Sequence, residues 1–149
     1  MREVNIHISA YVNDLRIGAY GALIEESGRM TIELSGSHKP TTPRRARLYG
    51  VVSALKSLRD PCEVTIYVDS EYIVDAFNKD WVEAWSLRDW HTSNGSEAKN
   101  ADLWGELLDL IEKHNVYIVL VSGQSSFEYG HEYNARCRYL AIDAVKVAI

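Results

Sequence analysis

The period of the apolar residues changes along this chain, and that change restricts the fold more than any other feature. Val4, Ile6 and Ile8 alternate with Asn5, His7 and Ser9, the period of two expected of a strand. Gly18-Ala19-Tyr20-Gly21-Ala22-Leu23-Ile24 reads as a second strand. Glu26-Ser27-Gly28-Arg29 carries turn chemistry, and Met30, Ile32 and Leu34 then alternate again, which predicts an antiparallel hairpin. Ser35 to Pro40 reads as a loop. The period then becomes helical. Thr42-Pro43 supplies an N-cap hydroxyl and a proline at the first helical position, and Leu48, Val51, Val52, Leu55 and Leu58 form one stripe ending at Asp60-Pro61.

Val64, Ile66 and Val68 predict a fourth strand, after which Asp69 or Ser70 caps a short helix running to about Phe77. A loop-rich stretch from Lys79 to Lys99 carries Trp81, Trp85 and Trp90. Leu103, Leu107, Leu110 and Ile111 mark another helix, Val116 to Val121 a fifth strand, and the last helix is expected to bury Cys137, Leu140, Ala141, Ala144, Val145 and Ala148. The order β-β-β-α-β-α-(α)-α-β-α predicts an α/β domain. Its core would be a five-stranded mixed sheet with helices on both faces and an antiparallel hairpin at one edge. The Gly18 and Gly21 pair suits close strand packing and not a phosphate loop.

Composition narrows the class of protein. At 149 residues the chain fits one domain, expected over 1–149, and its 46% hydrophobic and 25% charged residues are those of an ordinary globular protein. Val116 to Val121 is too short to cross a bilayer, and the start of the chain lacks the apolar stretch of a signal peptide. Cys62 and Cys137 fit no zinc spacing, and a reducing cytoplasm is the expected home. A formal net charge of -5 argues against a strongly basic nucleic-acid binder, although a local patch can suffice.

Several strings add to this pattern. Cys62 to Tyr72 runs Cys-Glu-Val-Thr-Ile-Tyr-Val-Asp-Ser-Glu-Tyr, Lys99 to Trp104 runs Lys-Asn-Ala-Asp-Leu-Trp, Thr41-Thr42 precede Arg45 and Leu48, and Asn134 precedes Arg136-Cys137. Together and in order they resemble type 1 ribonuclease H over essentially the whole chain. The resemblance implies the ribonuclease H-like fold, with Trp81, Trp85 and Trp90 in the family's handle region. It also implies hydrolysis of the RNA strand of an RNA–DNA hybrid by two divalent metals about 4 Å apart. Such a pair of hard cations needs several anionic oxygen ligands.

Carried over position by position, the family's four carboxylates fall at Ser9, Arg47, Asp69 and Arg138, and its loop histidine falls at Gln124. Only Asp69 retains the ligand. A set of four carboxylates carries a formal charge of about -4, whereas Asp69, Arg47 and Arg138 sum to about +1, which repels a dication. No catalytic residue, metal or other cofactor is therefore expected, and Mg²⁺ or Mn²⁺ enters only if a different site has been built. Glu128 and Glu132, expected in the loop before the last helix, are the acids nearest to offering one. Asp69 is expected to pair with Arg47 or Arg138, or to cap the helix that follows it.

Two further groups of residues have functional and structural readings. Thr42, Arg44, Arg45, Arg47, Arg136 and Arg138 present an anion-binding patch at a helix N-terminus, or a set of solvated arginines paired to acids. Trp81 and Trp85 stack on bases, or pack the handle, the commoner use of tryptophan. His7 is expected to be a satisfied structural residue, and His114 and His131 show no ligand spacing.

Three functions follow: a non-catalytic module binding nucleic acid (hybrid or duplex) or a protein, an altered metal-dependent nuclease, or a structural relic. No membrane partner is expected.

Overall fold

A computed structural model describes residues 1–26, 31–123 and 127–149. Strands β1 (Arg2–Val12), β2 (Gly18–Glu26) and β3 (Ile32–His38) lead to helix α1 (Pro43–Lys56), strand β4 (Cys62–Val68) and helices α2 (Glu71–Asn78), α3 (Trp81–Leu87) and α4 (Ala101–Ile111). Strand β5 (Asn115–Leu120) and helix α5 (His131–Ala148) complete the chain. The strands form one sheet in the order β3-β2-β1-β4-β5. β1 pairs antiparallel with β2 and parallel with β4, and β4 pairs parallel with β5. This is the mixed five-stranded sheet with a hairpin edge that the periodicity predicts.

Alternation along the central strands divides the interior into two layers. Ile6, Ile8, Val64, Ile66 and Val68 point into the larger cluster, with Leu48, Val51 and Leu55 of α1 and the fully buried Trp104 of α4. Ile17 and Ala19 face the opposite way, against Ala141 and Val145 of α5. Gly21 lets α5 approach the sheet. A Cβ there would lie 1.9 Å from the carbonyl oxygen of Cys137.

Several local expectations change. β3 runs through Ser35-Gly36-Ser37 to His38, because Gly36 pairs with Tyr20 and Ser37 with Ala19, so the ladder overrides the weak strand propensity of small residues. α1 stops at Lys56, with Leu58 packed against the core from beyond the helix. The bracketed helix of the expected order is α3 (Trp81–Leu87), set within the loop-rich stretch and preceded by Asp80 in the left-handed region at φ 60. β5 is shifted one residue towards the N-terminus.

α5 buries only Cys137, Ala141 and Val145. Leu140 and Ala144 are half-buried and Ala148, in the last turn, is exposed. Of the expected turn Glu26 to Arg29, the residues from Ser27 on lie outside the described residues, as does Met30, read as part of the third strand; Glu26 ends β2. Among the described residues no helix is long and apolar enough to cross a membrane.

His7 is not satisfied as expected. It is fully buried, stacked between Tyr67 (ring centroids 5.1 Å) and Tyr133 (4.3 Å), and neither ring nitrogen has a hydrogen-bond partner among the described residues. Glu25 lies 3.6 Å from Nε2 but accepts hydrogen bonds from Tyr133, Tyr129 and Asn5 instead. Burial pushes the His7 pKa down, with Glu25 opposing it.

Candidate functional site

The register of β1 and β4 sets Ile8 opposite Val68, so the residues that follow, Ser9 and Asp69, meet at the carboxyl ends of two parallel strands. In open α/β sheets that end is where ligands bind, at the place where strand order reverses. α1 enters it under a sound cap: the Thr42 hydroxyl accepts from the Arg45 amide at 3.2 Å, and Pro43 occupies the first helical position. One turn into that helix, Arg47 reaches the strand end.

Asp69 is fully engaged there. Its Oδ1 accepts from Arg47 Nε at 2.7 Å, and its Oδ2 accepts from Arg47 Nη2 at 3.3 Å and from the Ser9 hydroxyl at 2.8 Å. Arg47 is tied back to its own helix through Nη1, which donates to the Pro43 carbonyl at 3.2 Å. Ser9 is fully buried, and the Arg47 and Asp69 side chains are 13% and 21% exposed, so the pair is largely withdrawn from water. The cap of α2 is Ser70, whose hydroxyl accepts from the Ile73 amide at 3.3 Å, which removes capping as a role for Asp69.

Arg138 approaches from α5 and does not pair with Asp69. Its Nη1 donates to the Ala10 carbonyl at 3.3 Å, and its guanidinium lies 5.8 Å from the Tyr11 ring. Asn134, one turn earlier, donates to the Ile8 carbonyl at 3.1 Å and joins Asp69, Glu71, Ser122 and Gly123 in lining an open cleft of about 390 Å³. Glu128 is committed to the loop before α5. Its carboxylate accepts from the Ser122 and Gly123 amides at 3.2 and 3.1 Å, which holds its pKa below the usual value. Gln124 lies outside the described residues.

The remaining arginines separate into two kinds. Arg45 donates to both Asp102 oxygens at 3.0 and 2.7 Å and to Asn100 at 3.1 Å, which lowers the Asp102 pKa. Arg136 grips Glu33 at 2.7 and 3.1 Å. Arg44 has no hydrogen bond or ion pair among the described residues. Its guanidinium sits 3.5 Å over the Tyr72 ring, and its Nε is buried without a partner. The Thr42 hydroxyl is spent on the cap.

The tryptophans are used for packing. Trp81 and Trp85 lie 5.8 and 6.5 Å from Tyr72, and Trp85 meets Trp104 edge-on at 6.2 Å, so the handle is bound to the core by an aromatic ladder. Sequence reasoning missed Tyr72, Tyr11 and Asn134 at this site. Their positions just past Asp69 and Ser9, and in the first turns of the last helix, were the available signal.

Comparison with known proteins gives the family. The RNase H family profile matches residues 9–146. A ribonuclease H of Chlorobium phaeobacteroides (strain BS1) is 41% identical over 129 residues, which are 87% of this chain and 85% of that protein. The crystal structure of LC9-RNase H1, a type 1 RNase H with the type 2 active-site motif, is similar over all of this chain and 74% of its own, with TM-score 0.82 and 24% identity. A foamy viral protease–reverse transcriptase, solved with an RNA/DNA hybrid, shares the fold over 98% of this chain and 20% of its own, at TM-score 0.72 and 15% identity. Matched along nearly its whole length, the chain belongs to the type 1 ribonuclease H family.

Proposed function

We propose that this chain binds RNA–DNA hybrid without cleaving it, as a ribonuclease H fold whose two-metal site has given way to an arginine–carboxylate pair. The observation that carries the reading is the saturation of Asp69 by Arg47 and Ser9. The family's chemistry would need two divalent cations at this place, and the donors present do not fit them. Ser9 offers a neutral hydroxyl, Arg47 and Arg138 offer cations, and the single carboxylate is already neutralised by a guanidinium. Glu128, one of the acids on which a rebuilt site could draw, is held by two backbone amides of its own loop.

Hybrid is the favoured partner because the fold is kept and the reversed charge of the site suits phosphate. The relatives' name, ribonuclease H, favours retained cleavage, and the test is built to detect it. A labelled RNA–DNA hybrid is incubated with the protein in Mg²⁺ and in Mn²⁺, beside an Asp69→Asn variant. We expect no cleavage in either metal and retained hybrid in a binding titration at low salt. Cleavage that disappears in the variant overturns the non-catalytic reading. Absence of binding to hybrid, duplex and single strands overturns the nucleic-acid reading and points to a protein partner.

A further inference from the structure

Two arginines at this site pair with no acid among the described residues, Arg44 lying 3.5 Å over the Tyr72 ring and Arg138 5.8 Å from the Tyr11 ring, and they come from opposite faces of the sheet. Arg44 belongs to α1, which packs on the Tyr20 side of β2, while Arg138 belongs to α5, which packs on the Gly21 side. Their rings, Tyr72 and Tyr11, stand three residues beyond Asp69, in α2, and two beyond Ser9, in the part of β1 that continues past its pairing with β4.

Stacking and ion pairing leave a guanidinium in different states. An arginine clamped by a carboxylate has its charge compensated and two or more of its five donors engaged, as Arg45, Arg47 and Arg136 have. One that rests on a ring keeps its charge uncompensated and its in-plane N–H groups available. Arg44 makes no hydrogen bond among the described residues, and Arg138 makes one, to a carbonyl. Arg44 Nε is buried without a partner among the described residues, so a phosphate would meet this guanidinium through its terminal nitrogens.

We infer that Arg44 and Arg138 form a metal-free phosphate clamp, taking over at this strand end the neutralisation of backbone phosphate that divalent cations would otherwise supply. Their ligand is the phosphodiester backbone of a bound hybrid. The inference rests on the hybrid-binding reading above and adds which cations meet phosphate. Each contributes one released counterion, and neither needs Mg²⁺.

Salt dependence tests this in the full chain. Fluorescence anisotropy of a labelled RNA–DNA hybrid is measured in EDTA and in Mg²⁺ across a KCl series for the wild type, Arg44→Gln, Arg138→Gln, the double variant and Arg136→Gln. The last removes the same formal charge from a paired arginine. Thermal unfolding confirms that each variant is folded. We expect equal wild-type affinity in EDTA and Mg²⁺, and a slope of log K on log[KCl] flattened by about 0.7–0.9 in each single variant and about twice that in the double. Arg136→Gln should leave the slope unchanged.

Hybrid binding that persists with an unchanged slope in the double variant overturns the clamp while leaving the hybrid-binding reading intact, as does binding that requires Mg²⁺. A wild-type protein that binds no hybrid at any salt concentration removes both.

Discussion

Arg47 holds Asp69 through two nitrogens, Nε at 2.7 Å from Oδ1 and Nη2 at 3.3 Å from Oδ2, with the Ser9 hydroxyl on the same Oδ2. A lone carboxylate at the end of a buried strand pair needs a compensating charge. Here it is supplied by the chain itself. The pair therefore belongs to the stability of the fold as much as to its function.

Removing one partner should expose that dependence. Arg47→Ala leaves Asp69 partly buried beside only a hydroxyl, and should lower unfolding free energy by about 1–3 kcal/mol, read as a lower urea midpoint at unchanged m-value. Asp69→Asn in the Arg47→Ala background should recover part of the loss. An Arg47→Ala protein as stable as the wild type would show that the ion pair is energetically idle.

Metal should be irrelevant to the stability of the wild type. A ligand that binds the native state raises the melting temperature by mass action, so equal melting curves in EDTA and in millimolar Mg²⁺ are expected. The combined Ser9→Asp, Arg47→Glu and Arg138→Asp variant restores four acids with Asp69. It should be destabilised in EDTA by carboxylate repulsion and rescued by Mg²⁺, by about 2.7 kcal/mol when the ion is at 100 times its Kd. A rescue seen in the wild type would contradict the reading of the site.

Acid should weaken the fold through His7. Burial lowers its folded pKa below the ordinary 6.5, so the unfolded chain binds the proton more readily. The neutral-His7 contribution is complete above pH 6.5 and is lost as pH falls from there towards the folded value. Glu25, whose pKa is also lowered, adds a further loss below its ordinary 4.5. His7→Phe keeps the stack between Tyr67 and Tyr133 and removes the proton. Its urea midpoint should change less than the wild type's between pH 7.5 and 5.5. Parallel pH profiles would exclude His7 as the cause.

Close packing of α5 depends on Gly21. Gly21→Ala places a methyl group 1.9 Å from the Cys137 carbonyl oxygen, an overlap that backbone cannot absorb without displacing the helix. A loss of about 2–3 kcal/mol is expected. Since α5 also carries Arg138 and Asn134, hybrid affinity should fall with it. A variant of unaltered stability and affinity would show that the helix has room to shift.

The sequence by itself determined the order of elements and the residues that meet at the strand ends. A change from period two to helical spacing is a local property, and Ser9, Arg47, Asp69 and Arg138 were singled out by their places in strings that resemble the family's. It also allowed two partners for Asp69, and only the tertiary structure chose between them. Arg47 is aimed by a helix turn tied to the Pro43 carbonyl, while Arg138 is drawn to the Ala10 carbonyl.

The same limit explains the arginine patch. Arg45 finds Asp102 across 57 residues because α4 packs on α1, and Arg44 finds a ring because α2 begins just past Asp69. His7 reads as one more polar residue on an alternating strand, and its sandwich of tyrosines exists only once β4 and α5 close over it. Charge and periodicity are written along the chain. Which charges are spent against one another depends on distances that packing alone creates.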